Sequence, residues 1–194
     1  MQIKNYTFNI SRVTAIVVDT TTNNYLWIAF AKSSDDGCVI QKVSANDLSQ
    51  IYYEFTLPVD EITDLHVFDS YLYVTVDDAT NFFYKIGVSS PLSDQTEVTI
   101  PVGINEVPIS IIDDGTDLYV LLPGSAVGEN SKICKYDDSP SFVETIDLTA
   151  VNDAVAISLS GSDLWAVTSE SPSNLVRVHE LSGGIYTYTV TSLS

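Results

Sequence analysis

Basic residues are scarce in this chain. Eight Lys and Arg stand against 26 Asp and Glu in 194 residues, a formal charge of −18. So acidic a protein is repelled by phosphate backbones and anionic lipid surfaces, which excludes nucleic-acid binding and polybasic membrane docking as expectations. Cysteine is nearly absent too. Cys38 and Cys134 are too few for the disulfide framework of a small secreted domain, and both are expected as free thiols in strands. No apolar run approaches the ~20 residues of a membrane helix. Residues 1–10 alternate polar and apolar side chains instead of building a signal-peptide core, so the expectation is a soluble chain that is not exported. Without export, the acceptor-like triplets Asn5-Tyr6-Thr7 and Asn9-Ile10-Ser11 carry no weight. Helical periodicity is missing throughout. Disorder is excluded by a composition that is 45% hydrophobic and 18% charged.

What the chain has is a repeat. Leu26-Trp27, Leu72-Tyr73, Leu118-Tyr119 and Leu164-Trp165 place a leucine before a large aromatic at three equal intervals of 46 residues. Within each unit, short apolar and β-branched runs alternate with Gly, Asn, Asp, Ser and Pro clusters, the pattern of short strands joined by turns. First strands are predicted at 13–19, 62–68, 107–113 and 154–160, each followed by a polar turn and then by the strand with the Leu-aromatic pair. Third strands carry a recurring cation, at Lys42, Lys85, Lys135 and Arg177; fourth strands carry Glu54, Glu97 and Glu144 in three units. Opposite charges facing each other across an antiparallel hairpin contribute ~0.2–1 kcal/mol each. The pairs expected are Lys42 with Glu54, Lys85 with Glu97 and Lys135 with Glu144.

Four strands per unit, with an aromatic in the second, resemble the blades of a β-propeller. The resemblance implies an all-β fold, a four-bladed propeller of four-stranded antiparallel blades, with a half-ring that dimerises into eight blades as the alternative. Blade limits are expected near 12–57, 58–101, 102–149 and 150–194, in a single domain spanning 1–194. The segment 4–11 reads as one further strand, because Phe8 repeats Phe55 at an offset of 47. That makes seventeen strands for four blades. The spare one, around Tyr186, Tyr188 and Val190, is expected either to extend the last blade or to pair with a neighbouring subunit. Neither the Trp-Asp dipeptide of WD40 repeats nor the Gly-Gly pair of kelch repeats occupies its strand position. The size resembles the hemopexin-like domain, but that family's ring-closing cysteine pair has no counterpart.

Ligands of propellers sit most often over the central channel, on loops joining second to third strands and fourth strands to the next first strand. Here those loops are acidic and poor in aromatic residues, Phe82 and Phe83 excepted. Adjacent acids occur at Asp35-Asp36, Asp77-Asp78, Asp113-Asp114 and Asp137-Asp138, with Asp117 three residues beyond Asp114. They read first as turn residues and second as contacts for a weakly held cation or a partner; none matches an EF-hand spacing. His66 and His179 lack a second ligand at zinc spacing. No nucleophile elbow or phosphate-binding glycine loop is present, and no catalytic, cofactor or metal residue is assigned.

The expected function is therefore a non-enzymatic structural or protein-interaction module without a cofactor, its partners other protein chains in a larger assembly. Poor in lysine and cysteine and lacking an export signal, the chain resembles subunits of virus or bacteriophage particles. That resemblance implies assembly, decoration or attachment and a location in the virion or the cytoplasm. A glycan-binding or small-molecule-binding propeller is the alternative, and a hydrolase using two carboxylates on different blades the third reading.

Overall fold

In the computed structural model, the described residues are 12–22, 24–31, 37–77, 81–101, 106–124, 129–149, 151–169, 172–182 and 184–193. Their strands fall into four antiparallel sheets, each made of four consecutive strands in chain order. Blade one contains β1 (Arg12–Val18), β2 (Tyr25–Ala31), β3 (Cys38–Ser44) and β4 (Ile51–Leu57). Blade two contains β5 (Glu61–Phe68), β6 (Tyr71–Asp77), β7 (Phe82–Gly87) and β8 (Gln95–Thr99). Blade three has β9 (Ser110–Asp113), β10 (Leu118–Leu122), β11 (Lys132–Tyr136) and β12 (Phe142–Asp147). Blade four has β13 (Ala154–Ser160), β14 (Asp163–Thr168), β15 (Asn174–Ser182) and β16 (Ile185–Ser192).

Sixteen strands are thus described, and β16 is the fourth strand of its own blade, paired along its length with β15. The expected strand at 4–11 lies outside the described residues. No helix occurs among the described residues, so none is long and apolar enough to cross a membrane.

Period-two alternation gives every blade two distinct faces. One carries the repeated aromatic, Trp27, Tyr73, Tyr119 or Trp165, and is here termed the leading face. The opposite, trailing face carries the leucine before it. Leading faces pack onto the trailing face of the following blade. Trp27, Ile40 and Leu57 of blade one meet Leu72, Val74 and Ile86 of blade two. Tyr73 and Phe83 meet Leu118, Val120 and Tyr136. Tyr119 and Ile133 meet Leu164, Ala166 and Val176. Each fully buried Leu or Ile in these seams contributes ~1.5–3 kcal/mol relative to exposure.

Polar bolts tie the first strands of successive blades. Asp64 Oδ2 on β5 accepts from Ser110 Oγ and from the Ile111 amide of β9, both at 3.0 Å. Thr63 Oγ1 donates to the Pro108 carbonyl at 2.6 Å, and Arg12 pairs with Glu61. A bulge recurs within the first strand of blades one, two and four, between Val13 and Ala15, Ile62 and Asp64, and Ala154 and Ala156. It puts Thr63 where it can reach the next blade. The two-residue turn after β5 has positive φ at both Asp69 (45°) and Ser70 (68°), as a hairpin of this length requires.

Packing runs from β1 to β5, from β5 to β9 and from β9 to β13. Among the described residues no comparable packing joins β13 back to β1.

Both cysteines lie in third strands and are buried, Cys38 in the first seam and Cys134 in the second, and neither is in a disulfide. Burial pushes the Cys134 thiol up to about 11. In the native protein neither thiol is expected to react with a disulfide reagent at pH 8, while the unreduced, unfolded chain should titrate two. A count of none after unfolding would contradict the strand assignment.

Candidate functional site

Two of the three cations expected to face a fourth-strand acid do not. In the β3–β4 and β7–β8 hairpins, facing residues stand an odd interval apart: Lys42 faces Tyr53, and Lys85 faces Thr96. Acids twelve residues away therefore fall one register position off and on the other face of the sheet. Glu54 instead accepts from Gln41 Nε2 at 2.5 Å. In blade three Lys135 does face Glu144, yet its ammonium is paired elsewhere, with Asp117.

The actual partners lie on the second strand. Each cation sits directly opposite the repeated aromatic: Lys42 opposite Trp27, Lys85 opposite Tyr73, Lys135 opposite Tyr119 and Arg177 opposite Trp165. The residue two before that aromatic lies on the same face and is Tyr25, Tyr71, Asp117 or Asp163. Where it is tyrosine the cation stacks on the ring, at 4.8 Å for Lys42 and 4.0 Å for Lys85. Where it is aspartate an ion pair forms, at 3.1 Å for Lys135 and 2.6 Å for Arg177. One repeat position thus holds the cation by two chemistries. Burial works against the Lys135 ammonium, but Asp117, with Glu180 and Glu144 nearby, outweighs it and raises the lysine's pKa. Hydrogen bonds from Arg177 and His179 hold Asp163 below the usual carboxylate range.

Blade one adds a buried acid that the sequence reading passed over. Asp19 is fully buried; its Oδ2 pairs with Lys42 Nζ at 2.7 Å and accepts from Trp27 Nε1 at 3.3 Å, while Thr21 donates to Oδ1. Burial alone would raise the Asp19 pKa, but the bonds from Lys42 and Thr21 overcome it and the pKa is lowered. The available signal was its place at the first hairpin turn, the same end of the blade as Asp117 and Asp163.

The remaining acids singled out by sequence are placed as follows. Asp113 accepts from the Gly115 amide through Oδ1 and lies 2.5 Å from His66 Nε2 through Oδ2, so it closes a turn and bridges blades two and three. Asp114 accepts from the amides of Thr116 and Asp117 and from the Tyr119 hydroxyl at 2.8–2.9 Å. Against burial, these bonds lower its pKa. Asp137 closes a turn onto Ser139 and Ser141. Asp77 is exposed at the end of β6, opposite Glu61. Asp35, Asp36 and Asp78 lie outside the described residues. No group of three or more His, Cys, Asp or Glu side chains is gathered as a metal site among the described residues.

One cleft of about 290 Å³ opens at the seam of blades three and four, on the side of the first hairpin turns. Asp114 and Tyr119 line it from blade three; Leu164, Glu180 and Tyr186 line it from blade four. Tyr186 projects from β16 toward blade three and donates to Glu144 Oε1 at 2.7 Å, whereas Tyr188 and Val190 on the same strand are exposed. Burial and the neighbouring carboxylates push both Tyr119 and Tyr186 up, so both hydroxyls stay protonated. Sequence spacing gave no hint of this cleft, because its walls come from turns and strands of two different blades.

No protein-family model matches the chain, and no curated protein sequence matches it. Solved structures do. A catalytically inactive virginiamycin B lyase from Staphylococcus aureus, with quinupristin, aligns over 96% of this chain and 58% of its own, at 18% identity and a TM-score of 0.70. The fold is that of a β-propeller. The Cps50 (Swd1) β-propeller domain of Myceliophteria thermophila aligns over 94% of this chain and 54% of its own, at 13% identity and a TM-score of 0.58. The computationally designed Ika4 protein aligns over 95% of this chain and 92% of its own, at 12% identity and a TM-score of 0.59. This propeller chain therefore spans little more than half of the first two and nearly all of the third.

Proposed function

We propose that this propeller is a non-enzymatic module that binds other protein chains. The observation carrying the reading is the row of exposed apolar side chains on outer strands: Ile51 and Tyr52 on β4, Phe142 and Val143 on β12, Tyr188 and Val190 on β16. These strands form the outer edges of their sheets and pair on one side only among the described residues. Such edges recruit partners by strand addition and apolar contact. Asp113, Asp114, Asp117 and Asp163, by contrast, are occupied with turns and ion pairs, which argues against their serving as a free catalytic pair. A virus or bacteriophage particle is the assembly proposed, supported by the scarcity of lysine and cysteine.

A second reading takes the seam cleft, with Tyr119, Glu180 and Tyr186, as the site of a small hydroxylated ligand such as a sugar. A glycan array, run beside light scattering on the intact chain, separates the two. The expected result is no retained glycan and a mass above the 21.2 kDa of one chain. Retention of a sugar by a monomer overturns the protein-interaction reading.

A further inference from the structure

The outer edges of the four blades are not alike. Strands β4, β8 and β12 carry Glu54, Glu97 and Glu144, whereas the sequence from 181 to 194, which contains β16, has no acidic or basic residue. On a chain of charge −18 that is an uncharged strip along an acidic body. Burial sets β16 apart as well. At one register position the fourth strand buries Phe55 against Ile40, Val98 against Phe83 and Ile146 against Ile133. In blade four that position is Thr191, which faces Leu175 and is exposed. Every other residue of β16 except Tyr186 is exposed too. A charge or a proline normally blunts an edge of this length, and β16 has neither. Its outward backbone groups are identifiable. The Leu193 amide bonds inward, to the Ser173 carbonyl at 2.7 Å, and successive residues of a strand direct their amides to alternate sides. The amides and carbonyls of Tyr186, Tyr188, Val190 and Ser192 therefore point away from β15.

We infer that this edge receives the same edge of a second copy: two β16 strands pair antiparallel across a two-fold axis and join the two blade-four sheets into one. The occupant follows from charge and symmetry. A copy approaching β4, β8 or β12 edge to edge would bring glutamates against their own counterparts, and like charges across a strand pair are destabilising. At β16 one −18 chain meets another without that cost, while a basic partner gains no attraction from an uncharged strand. A two-fold contact must be self-complementary, and this strand is. Overlap of its outward groups places Thr189 against itself on the axis, with Tyr188 facing Val190 and Thr187 facing Thr191 on either side. Aromatic–β-branched and Thr–Thr pairs are among the favourable cross-strand combinations. The strand is already held in position within one copy, since Tyr186 donates to Glu144 Oε1 of blade three at 2.7 Å.

This inference rests on the protein-interaction reading and deepens it by naming one edge and its partner. Sedimentation of the intact chain in about 0.5 M salt, where the long-range repulsion between two −18 copies is largely screened, should give twice 21.2 kDa. Thr189→Glu sets a carboxylate against its own copy on the axis and is expected to weaken the dimer roughly tenfold or more. The monomer should keep its fold, checked by circular dichroism, since Thr189 is exposed within one copy. Mixing Thr189→Glu with Thr189→Lys chains should restore a dimer that contains one of each. Under oxidation Thr189→Cys should yield a covalent dimer, because facing Cα atoms at such a position stand ~4.5 Å apart, within disulfide reach. Val143→Cys, exposed on β12, should not. A monomeric wild-type mass overturns the inference and leaves the protein-interaction reading to partners other than a second copy. An assembly that survives Thr189→Glu, or that crosslinks as readily through Val143→Cys, also overturns it, while leaving the protein-interaction reading standing.

Discussion

Replacing Lys42 by methionine is expected to cost ~3–5 kcal/mol at neutral pH, the range measured when one partner of a buried ion pair is removed. Asp19 has no access to solvent, and of the groups that donate to it only the Lys42 ammonium is charged. Methionine would refill the volume beside Tyr25 and Trp27, so the loss is electrostatic and not a cavity effect. The pH dependence has a definite sign. The folded-state pKa of Asp19 lies below its unfolded value, so the stability it contributes is present above the unfolded value of 3.8 and is lost as pH falls through the folded one. In the variant the carboxyl loses the partner that depressed its pKa, so protonation relieves the strain and the gap to wild type narrows toward acid. Chemical denaturation at pH 7 and near pH 4 measures both. Adding Asp19→Asn to the variant should recover part of the loss, and a gap that widens toward acid would refute the charge argument.

The repeat was legible because it is written in large side chains at fixed spacing. Leu26-Trp27 and its three counterparts marked the second strands, and the predicted first strand at 154–160 agrees with β13. The charge partners were not legible. Intervals of twelve residues suggest a facing pair only if the hairpin aligns residues an even interval apart, and the loops after Ser44 and Gly87 set odd ones. Sequence can show that Lys42, Lys85, Lys135 and Arg177 share a position, but not which neighbour each reaches. That choice depends on register and on whether Tyr or Asp stands diagonally across. The seam cleft and the Asp64 bolt were hidden for a further reason. They join residues about 46 positions apart, where only blade-on-blade packing brings them together.

Leu118→Ala should remove ~2–5 kcal/mol, as full truncations of buried leucines do, out of a total stability of ~5–15 kcal/mol. Leu118 is inaccessible to solvent in the second seam, beneath Tyr73, Phe83 and Ile100 of the preceding blade. Rigid strands on both sides leave little room for the seam to collapse into the space. Leu72→Ala, its counterpart in the first seam, should cost a similar amount, and the two losses should add, because the sites lie in different seams and share few neighbours. Leu26 is the informative control. It holds the same repeat position but is only half-buried, packed against the separate cluster of Ile28, Phe30, Val39 and Val43. Leu26→Ala should therefore cost less than half as much as Leu118→Ala, because less apolar surface leaves water at that position. Urea midpoints of the three single variants, with the Leu72→Ala, Leu118→Ala double variant, test this directly. A Leu26→Ala loss equal to that of Leu118→Ala would show that burial does not set the cost at this repeat position.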